Sequence, residues 1–150
     1  MKKYLKWGMV IGWMIVIFIY SNQPATLSDE KSRFVINVFK YLGLNLDSLF
    51  GDLSNFLVRK LGHLTEYAIL YFFLYHAMED SFKSKTALIA SLVILFFYAS
   101  SDEIHQYFVP GRAARVQDVL IDISGGIFVM IIIYFKKLKL RNRSDLNGRF

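Results

Sequence analysis

The sequence predicts an all-α integral membrane protein: a bundle of four membrane-spanning helices, with an extra amphipathic interfacial helix in the first outer loop. Two observations carry that expectation. Hydrophobic residues make up 55% of the 150-residue chain and charged residues only 20%, below the roughly 25% usual in soluble domains. The hydrophobic residues, which include 14 Phe, 9 Tyr and 2 Trp, are gathered into four runs. A chain this short makes a single domain over residues 1–150, and such a domain is too small to hide so much apolar surface from water. Lipid is the solvent that accepts it. The composition excludes intrinsic disorder, which pairs low hydrophobicity with high charge. The absence of cysteine excludes disulfides, thiolate zinc sites and a cysteine nucleophile.

The first span is expected at about 4–20, and Trp7 to Tyr20 (WGMVIGWMIVIFIY) carries no charge. Lys2 and Lys3 before it would also suit a secretory signal. The SNQPA stretch after Tyr20 offers no small-x-small cleavage site, so a retained helix is expected. In the next loop Phe34, Val35, Val38, Phe39 and Leu42 recur at helical spacing, with Lys31, Arg33, Asn37 and Lys40 between them. This predicts an amphipathic helix over about 29–42 lying on the outer leaflet. Ser28 is its expected cap, with Asp29 and Glu30 in the first turn. Gly43 and Gly51 break the chain before the second span, at 61–78, which carries His63, Glu66 and His76. The third span, 86–101, is uncharged, and the fourth, 119–135, holds only Asp122. All four lie at the short end of the ~17–25 residues that cross a bilayer. A helix in a soluble bundle keeps a polar face, whereas the first and third runs, and the fourth beyond Asp122, are apolar all round. Gly125 and Gly126 are read as allowing close helix packing, since no strand precedes them to make a nucleotide loop.

Four spans put both termini and the loop between spans two and three on one side. That side holds eleven basic residues (Lys2, Lys3, Lys6, Lys83, Lys85, Lys136, Lys137, Lys139, Arg141, Arg143 and Arg149) against Glu79, Asp80 and Asp145. The other side has seven basic and nine acidic residues. Cytoplasmic termini are therefore expected, with loops 21–60 and 102–118 outside. The overall excess of six positive charges is spent on that bias and not gathered on one face, so no nucleic-acid partner is expected.

The residues that carry chemistry sit at the outer ends of the last three spans. Arg59, Lys60, His63, Glu66 and Tyr67 fall on one helical face. The DEIHQ run supplies Asp102, Glu103, His105 and Gln106. The stretch after it turns at Pro110 and Gly111 and adds Arg112 and Arg115, and Asp118 and Asp122 enter the fourth span four residues apart. Chain direction brings these three ends into one layer near the outer headgroups. A charge at the bilayer centre costs roughly 2.5–3.5 kcal/mol, less near the interface. Glu66, Asp102, Glu103 and Asp122 must therefore face inward, matched by Lys60, Arg112, Arg115, His63, a metal ion or protons. Plainer readings stand beside this one. Arg59 and Lys60 suit interfacial snorkelling as well as a site, His76 and His105 suit structural hydrogen bonding, and Asp118 suits a helix N-terminal charge. The deeper Asp122 favours buried pairing or function.

The run SDEIHQYFVPGR (Ser101 to Arg112), then DVLIDISGG (Asp118 to Gly126), with RKLGHLTEYAIL (Arg59 to Leu70) and SNQP (Ser21 to Pro24) before them, resembles the VanZ-like family of bacterial membrane proteins. The resemblance implies a multi-pass protein of the bacterial plasma membrane and an association with low-level resistance to teicoplanin-type glycopeptides. Two positions depart from the family pattern. Ala113 and Ala114 stand where many relatives have a hydroxyl residue or glycine, and Asp122 stands where part of the family has asparagine.

Three functions compete. In the first, Lys60, Arg112 and Arg115 hold the phosphate of an anionic membrane lipid or a polyprenyl-phosphate-linked cell-wall precursor, with a glycopeptide as a further candidate partner. The candidate ligand-binding set is Lys60, His63, Glu66, Tyr67, Asp102, Glu103, Gln106, Arg112, Asp118 and Asp122. In the second, the protein is a membrane hydrolase of a lipid phosphate, with His63, Glu66, Asp102 and Glu103 as catalytic candidates. A divalent cation is then the candidate cofactor, with His63, Glu103 and Asp122 as its ligands. Against it, the sequence has no HExxH and no EExxxR run. In the third, the polar layer is a scaffold that only holds the helices together.

Overall fold

A computed structural model describes residues 3–147, with side chains described from 3 to 142. Lys2 and Arg149, and the side chains of Arg143 and Asp145, lie outside the described residues. The described chain is all-helical: α1 (Lys3–Ser21), α2 (Ala25–Tyr41), α3 (Leu46–Phe50), α4 (Leu53–Met78), α5 (Ser84–Gln106) and α6 (Val116–Asn147). α1, α5 and the Val116–Asn142 part of α6 are long and apolar enough to cross a membrane. Their outer faces are apolar and exposed, among them Ile11, Ile15 and Phe18 on α1, Ile89, Val93 and Phe97 on α5, and Phe128, Ile132 and Phe135 on α6. No soluble monomer leaves apolar surface on that scale to water. This is a membrane protein.

α4 differs. Its 26 residues run about 39 Å at 1.5 Å per residue, but Arg59, Lys60, His63 and Glu66 interrupt its apolar run, and it is the central helix, touching every other one. Tyr67, Tyr71 and Tyr75, four apart, bury one face completely, and Leu70 and Leu74 fill the turns between them. α5 meets them with Ala87, Ser91, Leu95 and Ala99, again four apart. Buried aromatic residues need outlets for their polar ends. Tyr71 donates to the Leu88 carbonyl at 3.0 Å, Tyr98 to the Met14 carbonyl at 2.6 Å and Trp13 to the Glu66 carbonyl at 2.8 Å. α6 packs closest to α4, and its two glycines explain how. A methyl group at Gly125 would overlap the Leu64 carbonyl, and one at Gly126 would overlap the Leu95 side chain. The packing role expected for both glycines holds.

The helices extend beyond the expected spans wherever polar residues sit inside a helix. α4 begins at Leu53 instead of 61, because Arg59 and Lys60 are carried within it and paired with Asp29 and Asp118. α5 runs to Gln106, so the whole DEIHQ run is helical. α6 starts at Val116 and continues past Phe135, since Lys, Leu and Arg sustain a helix after the apolar run ends. The short α3, capped by the Asn45 side chain on the Ser48 amide at 3.3 Å, was not anticipated.

α2 starts four residues before the expected position. Pro24 is its N-cap and makes no side-chain cap bond, while Ser28 lies inside the helix. The reason is tertiary: the Ala25 amide donates to the Pro110 carbonyl at 3.3 Å. The loop after α5 thus starts α2. Ser32 and Ile36 face the bundle, while Phe34, Val35 and Val38 are exposed on another side of the helix. That leaves an apolar stripe opposite Arg33, Asn37 and Lys40, the division of an interfacial helix.

Candidate functional site

The C-terminal ends of α1 and α5, the first half of α4 and the start of α6 meet at one end of the bundle. α5 contributes a polar face there. Asp102, Glu103 and Gln106 lie one and four residues apart, each 4% exposed, and Asp122 of α6 is 2% exposed. A buried carboxylate is costly unless donors surround it. Asp102 Oδ2 accepts from Ser21 Oγ at 2.7 Å and Gln106 Nε2 at 3.0 Å. The same Gln106 amide donates to Ser21 Oγ at 3.2 Å, closing a triangle between α1 and α5. Glu103 Oε1 accepts from the Arg115 backbone amide at 2.7 Å. Asp118 pairs with Lys60 Nζ at 2.5 Å.

Arg112 completes the layer in an unexpected way. The expectation was a carboxylate partner. Instead its Nη1 donates to Gln106 Oε1 at 3.1 Å and its Nε to the Gln23 carbonyl at 3.1 Å. Among the described residues it forms no ion pair. Burial, then the neighbouring charge of Arg59, lowers its pKa from the ordinary arginine value. Arginine titrates so high that the guanidinium stays charged. Arg115 is a second correction: its backbone, not its guanidinium, meets Glu103.

His63 sits between the cations and the deeper carboxylates. Its Nδ1 is 3.9 Å from both Glu66 Oε2 and Asp122 Oδ1, too far for a hydrogen bond. Among the described residues, that nitrogen, Tyr67 Oη and Asp102 Oδ1 are buried with no hydrogen-bond partner. The candidate cation ligands do not come together as a set. Glu103 is engaged by Arg115, and among the described residues no three His, Asp or Glu side chains form a metal-binding group. His105 and His76 take the structural roles expected of them: His105 Nε2 meets Asn22 Oδ1 at 3.2 Å, and His76 Nδ1 meets Glu79 Oε1 at 2.6 Å.

Two adjoining cavities open on this layer. One, of 220 Å³, lies between α2 and α4, where Lys31, Arg59, His63, Glu66 and Arg112 line it. The other, of 150 Å³, lies under the Pro110–Gly111 turn, where Arg59, Lys60, His63, Arg112, Arg115 and Asp118 line it. The structure therefore gathers Lys60, His63, Glu66, Gln106, Arg112 and Asp118 around open space. Asp102, Glu103 and Asp122 stand behind it, and Tyr67 lies deeper in the core. Sequence reasoning left out Ser21, Gln23 and Lys31 as site residues, and Arg59 stood evenly between snorkelling and a site. Ser21 and Gln23 belong to the SNQP stretch, which could have pointed to them. Lys31 has no such signal, because it lines the cavity only once α2 docks on α4.

The SNQP and PGR stretches turn out to be one piece of architecture. Asn22 meets His105, the Gln23 carbonyl holds Arg112, and the Ala25 amide meets Pro110. Gly111, at φ +75°, packs so near that a methyl group there would lie 3.1 Å from Ala25 Cβ. A family model described as VanZ/LLP1 matches residues 6–137. No curated protein and no solved structure matches the chain. The motifs that carry the resemblance are the ones that build this layer, and with the match spanning nearly the whole sequence, the chain belongs to the VanZ/LLP1 family.

Proposed function

We propose that the protein binds the phosphate of an anionic membrane lipid or of a polyprenyl-phosphate-linked cell-wall precursor in the Arg112 cavities. The observation that carries this reading is the division of labour among the charges. One oxygen of each α5 carboxylate is bonded, at Asp102 by Ser21 and Gln106 and at Glu103 by the Arg115 amide, while Arg112 is held by neutral oxygens. A guanidinium fixed by neutral acceptors keeps its charge for an incoming anion, and its fork can engage two phosphate oxygens together. Lys31, Arg59 and Lys60 add charge around the same space.

The excess of basic residues beside the opposite helix ends supports a plasma-membrane protein with four crossings and cytoplasmic termini. The site then faces the cell envelope, where cell-wall precursors and glycopeptides meet. Retention of a precursor there would change what a teicoplanin-type antibiotic can reach, which connects the site to the resistance associated with the family.

The scaffold reading has its own support, because Asp102 and Glu103 each tie two elements together. One experiment separates the two. Arg112→Ala should lower retention of a polyprenyl phosphate by the detergent-purified protein at least ~10-fold, the worth of one charge-assisted hydrogen-bond pair. Its unfolding midpoint should stay near that of the wild type. Unchanged retention would remove the lipid-binding reading.

A further inference from the structure

We infer that the cleft between α5 and α6, at the end of the bundle away from the Arg112 layer, is a seat for an anionic phospholipid, with the phosphate at Lys85 and the start of one acyl chain between the two helices. What the Arg112 cavities bind has no bearing on it. The cleft holds about 400 Å³, within the ~300–1,000 Å³ of small-molecule sites. Lys85, Leu88 and Ile89 line it from α5, and Met130, Ile131 and Tyr134 from α6. Leu88 is buried and Met130 packs against the core, so these two form the floor. Ile89, Ile131 and Tyr134 are exposed and form the walls.

The order of these residues along the bundle matches that of a phospholipid. α5 ends at Gln106 and α6 begins at Val116, so the two packed spans run in opposite directions. Lys85 lies one turn toward the basic end from Leu88 and Ile89, and Tyr134 lies one turn toward the same end from Met130 and Ile131. The ammonium and the phenol therefore belong to one end of the cleft, and aliphatic groups follow them inward. A tyrosine at that level suits the boundary between headgroups and hydrocarbon. An apolar floor with nothing against it forfeits dispersion contacts, and an acyl chain restores them.

Charge decides which phospholipid fits. At this end Asp80 is paired with Lys6, and Glu79 with His76 and Lys137, which uses the acids of the connecting loop. Among the described residues Lys85 forms no ion pair, and neither does Lys83. Both stand at the start of α5, which has no acid in its first turn and no side-chain cap. Two cations thus share the positive end of a helix dipole, where anions are favoured. The phosphate of an anionic lipid supplies the missing counter-charge. A zwitterionic headgroup would bring a further cation to the same place. Basic pockets between membrane helices take anionic headgroups for this reason.

The test is lipid retention by the full chain in a neutral detergent, read by native mass spectrometry with phosphatidylglycerol and phosphatidylcholine of the same acyl chains. Phosphatidylglycerol should bind at least ~10-fold tighter, the worth of one charge-assisted hydrogen bond. Lys85→Ala should bring the ratio close to one, while Lys139→Ala, the same loss of charge outside the cleft, should leave it unchanged. Ile131→Trp fills the cleft from its exposed wall without touching a charge, and should lower phosphatidylglycerol retention by a similar factor. Equal binding of the two lipids by the wild type overturns the inference and needs no variant. Retention unaffected by Lys85→Ala or by Ile131→Trp overturns it too, and if Arg112→Ala abolishes the preference instead, the anionic lipid belongs to the opposite end. An equal fall in Lys85→Ala and Lys139→Ala would assign the preference to general positive charge and likewise overturn the cleft.

Discussion

A carboxylate with 4% exposure survives in this bundle because Ser21 and Gln106 donate to it, and that makes Ser21 a sensitive position. Ser21→Ala should destabilise the detergent-solubilised protein by ~1–3 kcal/mol, the cost of leaving a buried charged acceptor short of a donor. Chemical unfolding would read it, and a change under a few tenths would mean that Asp102 is not held this way. At the opposite end of the bundle Glu79 is a pH-sensitive fastener. Burial raises its pKa, but hydrogen bonds from His76 and Lys137 and the charge of Lys137 outweigh it, so the group ends below the ordinary glutamate value. A depressed acid stabilises the fold above its unfolded pKa, and that stability is lost as pH falls through the folded one. Thermal unfolding followed from pH 7 downward should therefore lose stability below the ordinary glutamate range (about 4.3). Glu79→Gln should flatten that limb; an unchanged acid limb would assign it to other groups. The burial of Asp102, Glu103 and Asp122 was legible, because charges within apolar runs must turn inward. Their partners were not, because a serine 81 positions away and a backbone amide leave no pattern in the local sequence.

At the scale of helices, approach distance decides. Gly125 lets α6 lie against the Leu64 carbonyl of α4, and backbone cannot move aside as a side chain can. Gly125→Ala should cost ~1–3 kcal/mol, the range for overpacking, while Gly12→Ala, which meets open space, should stay within about 0.5 kcal/mol. Equal effects on the unfolding midpoint would disprove close α4–α6 contact. Gly111 is different, since its φ of +75° disfavours any side chain and Ala25 lies against it. Apolar runs, and helical spacing for α2, announced every long element. The helices outrun the expected spans, to Leu53, Gln106 and Val116, because hydrogen bonding along a helix does not stop at the first charge. The start of α2 was beyond local reading, since its first amide finds its acceptor at Pro110.

For the whole molecule, the number of crossings is the deciding quantity. If α4 spans with the three apolar helices, both termini share a side and the Pro110–Gly111 turn is opposite. The sequence contains no cysteine, so single-cysteine variants give a clean test. Ala113→Cys should react with a membrane-impermeant maleimide on intact cells, and Lys139→Cys should react only after lysis. Opposite labelling would reverse the orientation, and labelling of both would mean that α6 does not cross. The sequence by itself determined the solvent, the helices and the end of the bundle at which polar groups collect. Hydrophobic partition and helical period act over short stretches of chain, and chain direction alone aligns the ends. Only the tertiary structure decided that the carboxylates of α5 become supports while the cations, with Glu66 and Asp118, line the cavities. Which donor meets which acceptor is a matter of fractions of an ångström between residues far apart in the chain, and no local pattern encodes it.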